Sequence, residues 1–179
     1  MKNSIKIGIL SDSHRKPTLT KEALDNLISK DIQYIIHAGD LEIKENLDLL
    51  KQTNLPYVCV FGNNDQSLLP LANEYKINNE PYYFKIKDLT FKLMHLPFYL
   101  NSDTNIIISG HTHKFEQSYI NNTLFLNPGE VCARNKNLSE HIFLEITPNE
   151  YIIEYNYKKP SESIWQNNIT NYKRVINDK

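Results

Sequence analysis

Short apolar runs alternate with segments of helical period through the first third of the chain. Residues 5–10 form an apolar run that ends in a polar cluster, residues 34–36 a second that ends at His37 to Asp40, and residues 57–61 a third that ends at Gly62 to Asp65. Between the first two runs, Ala23, Leu24, Leu27 and Ile28 fall at helical spacing, with Thr20 expected to cap the start. Ile43, Leu47 and Leu50 repeat at the same period before the third run. Strands separated by helices predict parallel pairing with right-handed crossovers.

The second half changes character. Residues 82–87, 90–95, 106–109, 116–120, 124–127, 142–147 and 151–157 all pattern as strands, with turns expected at Asn121-Asn122 and Pro148-Asn149. The tyrosine-rich segment 151–157 reads as a half-buried strand rather than a binding strip. Trp165, Ile169, Tyr172 and Ile176 recur at helical spacing, which predicts a C-terminal helix laid on the domain. No Gly-, Ser- or Pro-rich linker and no internal repeat divides the chain. The expectation is one α/β domain over 1–160, parallel at first and more antiparallel later, with a helical extension over 161–179.

Composition narrows the function classes. The chain has 179 residues, enough for one domain with a sizeable core. A net charge of −1 gives no electrostatic case for nucleic acid or an anionic membrane surface. No segment approaches the ~18 consecutive apolar residues of a membrane span. The first ten residues carry Lys6 and do not read as a secretory leader. The two cysteines, Cys59 and Cys132, suggest free thiols in a reducing compartment, so a cytoplasmic protein is expected.

The chemistry gathers at strand ends. Asp12 and His14 follow the first strand, Gly39-Asp40 the second, and Gly62-Asn63-Asn64-Asp65 the third. Later strands end at His95 and at Gly110-His111-Thr112-His113. Ligands of open α/β sheets bind beyond the carboxyl ends of the strands. Packing alone would not place charges there, because a buried charge costs several kcal/mol unless it is paired or metal-bound. Each piece is weak alone: Gly-Asp is a turn signal, and one histidine after a strand is more often structural. Together they offer carboxylate and imidazole donors suited to borderline divalent ions. Seven donors exceed what one ion with an open position needs, and they fit two ions sharing a carboxylate. No glycine-rich phosphate loop follows the first strand, which argues against a nucleotide-binding α/β protein.

In this order Asp12-x-His14, Gly39-Asp40, Gly62-Asn63-x-Asp65, His95 and Gly110-His111-x-His113 resemble the calcineurin-like metallophosphoesterase superfamily. The context Ile36 to Asp40 and the run Asn127-Pro128-Gly129 are similar to its small YfcE-type phosphodiesterase branch. The resemblance runs from about Ile5 to Tyr157. It implies a four-layer α/β/β/α sandwich of two mixed sheets flanked by helices, with metals at one edge. It assigns Asp12, His14 and His113 to a first metal, Asn63, His95 and His111 to a second, and Asp40 to the bridge. Manganese is the ion it implies, with Mg, Fe, Co, Ni or Zn as alternatives. The activity implied is hydrolysis of a small phosphoester, most simply a diester, by a hydroxide shared between the ions.

Two departures from the family pattern matter. Many members carry histidine where this chain has Asn64, which can donate a hydrogen bond but not a proton. Asn64 and Asp40 are the catalytic candidates. Asn64 and Arg134, a basic residue just past Asn127-Pro128-Gly129, are the substrate-binding candidates. Leu96-Pro97 follows His95 where the family usually has Gly-His, so no second histidine is available there. His37 reads equally as support for the ligands or as a buried strand histidine, His141 reads as structural, and Cys132 receives no role. The competing reading is a non-catalytic interaction scaffold like the retromer subunit Vps29, which is similar in size and in the fold that the resemblance implies. A scaffold under no catalytic demand tends to lose donors, and here all seven remain. The sequence leaves oligomeric state open, a homo-oligomer included.

Overall fold

The computed structural model describes residues 4–175. Two mixed sheets pack face to face. The first runs β12-β11-β10-β1-β2-β3-β4 and the second β5-β6-β7-β9-β8. Strand β1 is Ile5–Leu10, β2 Tyr34–His37, β3 Tyr57–Val60 and β4 Ile77–Asn78, paired in parallel in that order. The second sheet contains β5 Tyr82–Ile86, β6 Leu89–Leu93, β7 Ile106–Ile108, β8 Phe115–Ile120 and β9 Thr123–Pro128. Its central strands β6, β7 and β9 are parallel, while both edge strands are antiparallel. Strands β10 Ser139–Ile146 and β11 Glu150–Lys158 return to the first sheet beside β1.

Alternation along the strands sorts the two cores. Ile7, Ile9, Ile36 and Val60 face Phe91, Ile106, Ile108, Leu124 and Leu126 across the inter-sheet layer. Leu10, Ile35 and Cys59 point the other way and meet Ala23, Leu24, Leu27, Leu47 and Leu50 of the helices. Those helices are α1 Pro17–Ile28 and α2 Lys44–Gln52, and α3 Ala72–Tyr75 follows a 3-10 turn near β4. Helix α1 begins three residues before the Thr20 expected to cap it. Pro17 opens it, and the Thr20 hydroxyl donates to Lys16 O from within the first turn.

Among the described residues no helix covers the outer face of the second sheet. Loop 94–105 lies there instead, held by Lys92, whose side chain is fully buried beneath it. The Lys92 ammonium donates to Tyr99 O, Asn101 O and Asn101 Oδ1, each at 3.0 Å, and pairs with Asp103 at 2.5 Å. Lysine is almost never fully buried without such partners.

The expected C-terminal helix is a strand. Residues Gln166–Lys173 form β12, antiparallel to β11 along eight register pairs from Glu150↔Lys173 to Tyr157↔Gln166. Asn167, Asn168, Thr170 and Asn171 are poor helix formers, and β11 would otherwise be an open edge with unpaired backbone groups. Tyr172 still packs against the inter-sheet core and Trp165, just ahead of β12, against the helix-side core, while Ile169 of the expected stripe is exposed. Ile176, the last residue of the expected stripe, lies outside the described residues. No described helix is long and apolar enough to cross a membrane.

Candidate metal centre

The parallel strands of both sheets end at one edge, and this brings the seven donors together. Asp12 and His14 follow β1, Asp40 follows β2, Asn63 follows β3, His95 follows β6, and His111 and His113 follow β7. Backbone hydrogen bonds stitch these loops: Asp12 N–H donates to Gly39 O at 3.0 Å and His14 N–H to Asp40 O at 2.8 Å. The Asp65 carboxylate closes a third side, accepting the N–H groups of Asp40, Gly62 and Glu42 at 2.9, 2.7 and 2.6 Å. The loops approach so closely that a Cβ at Gly62 would overlap the Asp40 side chain, and one at Gly39 would sit 2.8 Å from Gly62 N.

Five donor residues adopt left-handed backbone: Asp12, His14, Asp40, His111 and His113, with φ between 45° and 66°. This conformation is uncommon outside glycine, and such strain concentrates at functional sites.

The donor atoms fall into two sets. On one side His14 Nε2 and His113 Nε2 lie 3.5 Å apart, and Asp12 Oδ1 is 3.2 Å from the latter and 4.0 Å from the former. On the other, Asn63 Oδ1 is 2.9 Å from His95 Nε2 and 3.0 Å from His111 Nδ1. Asp40 Oδ2 stands between, 3.7 Å from His14 Nε2 and 3.5 Å from His95 Nε2. Burial favours the neutral carboxyl of Asp40, but the adjacent His95 imidazole and two hydrogen bonds from Asn64 outweigh it and hold its pKa below the usual value. Burial dominates at Asp12 and raises its pKa.

These residues fit cations on two counts. Asp12 Oδ1 is fully buried without a hydrogen-bond partner. His95 Nδ1 lies 2.8 Å from Ala38 O, which fixes the proton there and turns the Nε2 lone pair toward Asn63 Oδ1. Two acceptors 2.9 Å apart need a proton or a cation between them.

Supporting residues that sequence reasoning missed surround the donors. Glu130 pairs with His113 Nδ1 at 2.5 Å, which fixes the tautomer that aims Nε2 at Asp12. Burial pushes the Glu130 pKa up, but hydrogen bonds from His113 and the N–H groups of Lys136 and Asn135 hold it at about 2. The same hydrogen bond raises the pKa of His113 against the effect of burial. Glu80 accepts the N–H groups of His95 and Leu96 at 2.5 and 2.8 Å. Asn127 donates to Gly110 O at 2.9 Å and to Thr112 at 3.1 Å, steadying the loop of His111 and His113. An acid next to Asn127-Pro128-Gly129 was the signal available for Glu130; Glu80 left no such trace.

The remaining candidates separate. Asn64 is engaged with Asp40, its amide donating to Oδ2 at 2.7 Å and its backbone N–H to Oδ1 at 2.9 Å. Arg134 is exposed and lines a cavity beside His14. His37 is buried and meets the ligand loop through the Ser13 hydroxyl at 2.8 Å. His141 is buried far from the donors against Asn26 and Trp165. Cys132, given no role from sequence, lies with donor atoms of His14 and His113 in a group spanning no more than 4.8 Å. Its thiol donates to Glu130 at 3.4 Å, and burial pushes its pKa to about 12.

Residues 5–148 match the model of the calcineurin-like phosphoesterase superfamily domain. A protein named as a phosphodiesterase from Methanocaldococcus jannaschii is 28% identical over 142 residues, covering 72% of this chain and 86% of its own length. Vacuolar protein sorting 29 from Cryptosporidium parvum superposes with a TM-score of 0.78 at 17% identity, over 96% of this chain and 99% of that one. The E. coli phosphoesterase YfcE superposes with a TM-score of 0.66 at 17% identity, over 82% and 91%. At those identities the two structures show a shared fold.

Proposed function

The chain belongs to the calcineurin-like phosphoesterase superfamily, and from that premise we propose that it is a dinuclear-metal phosphodiesterase hydrolysing P–O bonds. The observation that carries this reading is the convergence of all seven donors, with Asp40 Oδ2 between the His14 and His95 nitrogens. Asp12, His14 and His113 would hold one ion, Asn63, His95 and His111 the other, and Asp40 both, with manganese the ion assigned first. Divalent ions held there supply Lewis-acid charge for the phosphoryl oxygens and lower the pKa of water.

The chain's own groups do the rest. Glu130 and Ala38 O hold protons on the Nδ1 atoms of His113 and His95, which leaves both Nε2 lone pairs for ligation. The hydrogen bonds of Asn64 keep Asp40 ionised and oriented, so this residue positions the bridge as well as facing the reacting phosphate. Neither role gives the leaving group a proton. A positioned general acid is worth roughly 10²–10⁴-fold, so turnover should depend steeply on leaving-group pKa and favour aryl over alkyl diesters. Arg134 is assigned to a phosphate of the substrate.

The fold shared with vacuolar protein sorting 29 supports a scaffold as the second reading. Metal analysis and hydrolysis of bis(p-nitrophenyl) phosphate after manganese reconstitution separate the two. The enzyme reading expects close to two ions per chain and turnover lost on chelation. One ion or none under manganese saturation, with no hydrolysis, overturns it. A flat leaving-group dependence with chemistry rate-limiting overturns the part given to Asn64.

A further inference from the structure

Beside the metal centre a cavity of about 630 Å³ opens at His14, and neither Asn63 nor His111 lines it. Three cations from two separate segments stand on its walls: Arg15 and Lys16 ahead of α1, and Arg134 in the loop after β9. Among the described residues, none of the three takes part in an ion pair. The chain as a whole carries a charge of −1, so this concentration of positive charge is local. Glu42 also lines the cavity, and its carboxylate faces His14 Nδ1 at 3.4 Å.

The arrangement is built into the same loops that hold the donors. Val131 N–H donates to Ser11 O and Cys132 N–H to Asp12 O, both at 3.1 Å, which ties the Arg134 segment to the Arg15 segment. Ala133 has φ of +56°, unfavourable for alanine, and sets the direction in which the chain leaves toward Arg134. Glu130, which orients His113, also accepts the N–H groups of Asn135 and Lys136 at 2.7 and 2.9 Å and so folds the turn that carries the arginine.

We propose that this cavity is a subsite for a second phosphate group, so that the natural substrate is a phosphoester bearing another phosphate on the portion that extends past His14. The inference rests on the phosphoesterase reading and names its substrate class. Three unpaired cations repel one another and are best satisfied by a dianion with several acceptor oxygens. Guanidinium groups match phosphate by paired hydrogen bonds. The volume accommodates a phosphate with the sugar-sized unit that bears it.

The test compares thymidine 5′-(p-nitrophenyl phosphate) with its 3′-phosphorylated counterpart on the manganese-loaded full chain. The leaving group is the same, so the ratio of kcat/KM values reports the second phosphate alone. The native protein should prefer the 3′-phosphorylated ester by roughly tenfold or more, since hydrogen bonds to charged groups are among the stronger ones. Arg15→Gln with Lys16→Gln, and separately Arg134→Gln, should move that ratio toward one. A native ratio near one, or a ratio unchanged in the variants, overturns the subsite and leaves the phosphoesterase reading standing. If neither ester is hydrolysed, that reading fails, and calorimetric titration of the chelator-treated protein with thymidine 3′-phosphate decides the subsite. Binding that weakens in the variants supports it. No binding, or binding the variants do not alter, overturns it.

Discussion

Glu130 and His111 show what single residues do at this centre. Glu130 touches no candidate metal position, yet it fixes the His113 tautomer and folds the following turn. Glu130→Gln keeps the shape but loses the charge and one of the two acceptor oxygens that Glu130 uses. It should weaken metal binding by roughly 10–100-fold, read by manganese titration. Asp40→Asn should cost more activity than His37→Ala, because the bridge touches both donor sets whereas His37 acts through Ser13. His111 is exposed and has φ of +66°, so its donor role is set against its backbone. His111→Gly should raise the stability of the chelated protein by roughly 1 kcal/mol, while His111→Ala should not. Denaturant melts in chelator check this, and a loss of stability in the glycine variant would mean that the left-handed backbone carries no strain.

At the scale of elements, β10 carries a pH liability. His141 is buried on that strand with Nδ1 unpartnered, and burial drives its pKa from 6.5 to about 3. Below pH 6.5 the unfolded chain takes up this proton while the folded chain refuses it until about pH 3. Stability therefore falls as pH drops through that window. His141→Gln keeps a donor for Asn26 and removes the titration. Between pH 7 and pH 5 the native protein should lose roughly 2 kcal/mol more than this variant in urea melts. Equal losses would show that His141 accepts a proton in the folded state. The terminal strand makes a different point about elements. Trp165, Ile169 and Tyr172 satisfy a helical spacing, but asparagine-rich sequence and an open β11 edge decide for β12.

At the scale of the molecule, the centre joins the two sheets. Asp12, His14, Asp40 and Asn63 leave the first sheet, and His95, His111 and His113 leave the second. Ions held across that edge, as the proposed function requires, would add cross-links that the unfolded chain cannot match. Saturating manganese should raise the melting temperature, since ligand at 100 times its dissociation constant adds about 2.7 kcal/mol. Scanning calorimetry with and without chelator measures it, and coincident melts would mean that the donors do not hold an ion between the sheets.

The sequence by itself determined the α/β class, most strand positions and the hairpin at Asn121-Asn122, and it singled out the seven polar residues that converge at one edge. These are local matters: alternation, turn chemistry, and polar residues that terminate apolar runs. It also pointed to the family, because the motifs keep their order along the chain. Tertiary structure alone decided what depends on distant partners. Glu80 and Glu130 lie 15 and 17 residues from the histidines they support, and no periodicity marks such pairs. The left-handed backbone at five donors, the Lys92 anchor under loop 94–105 and the meeting of Arg15 and Lys16 with Arg134 are likewise set by how the two sheets close. The same closure turned the C-terminal segment into a strand, because backbone groups along an exposed edge outweigh a weak helical preference.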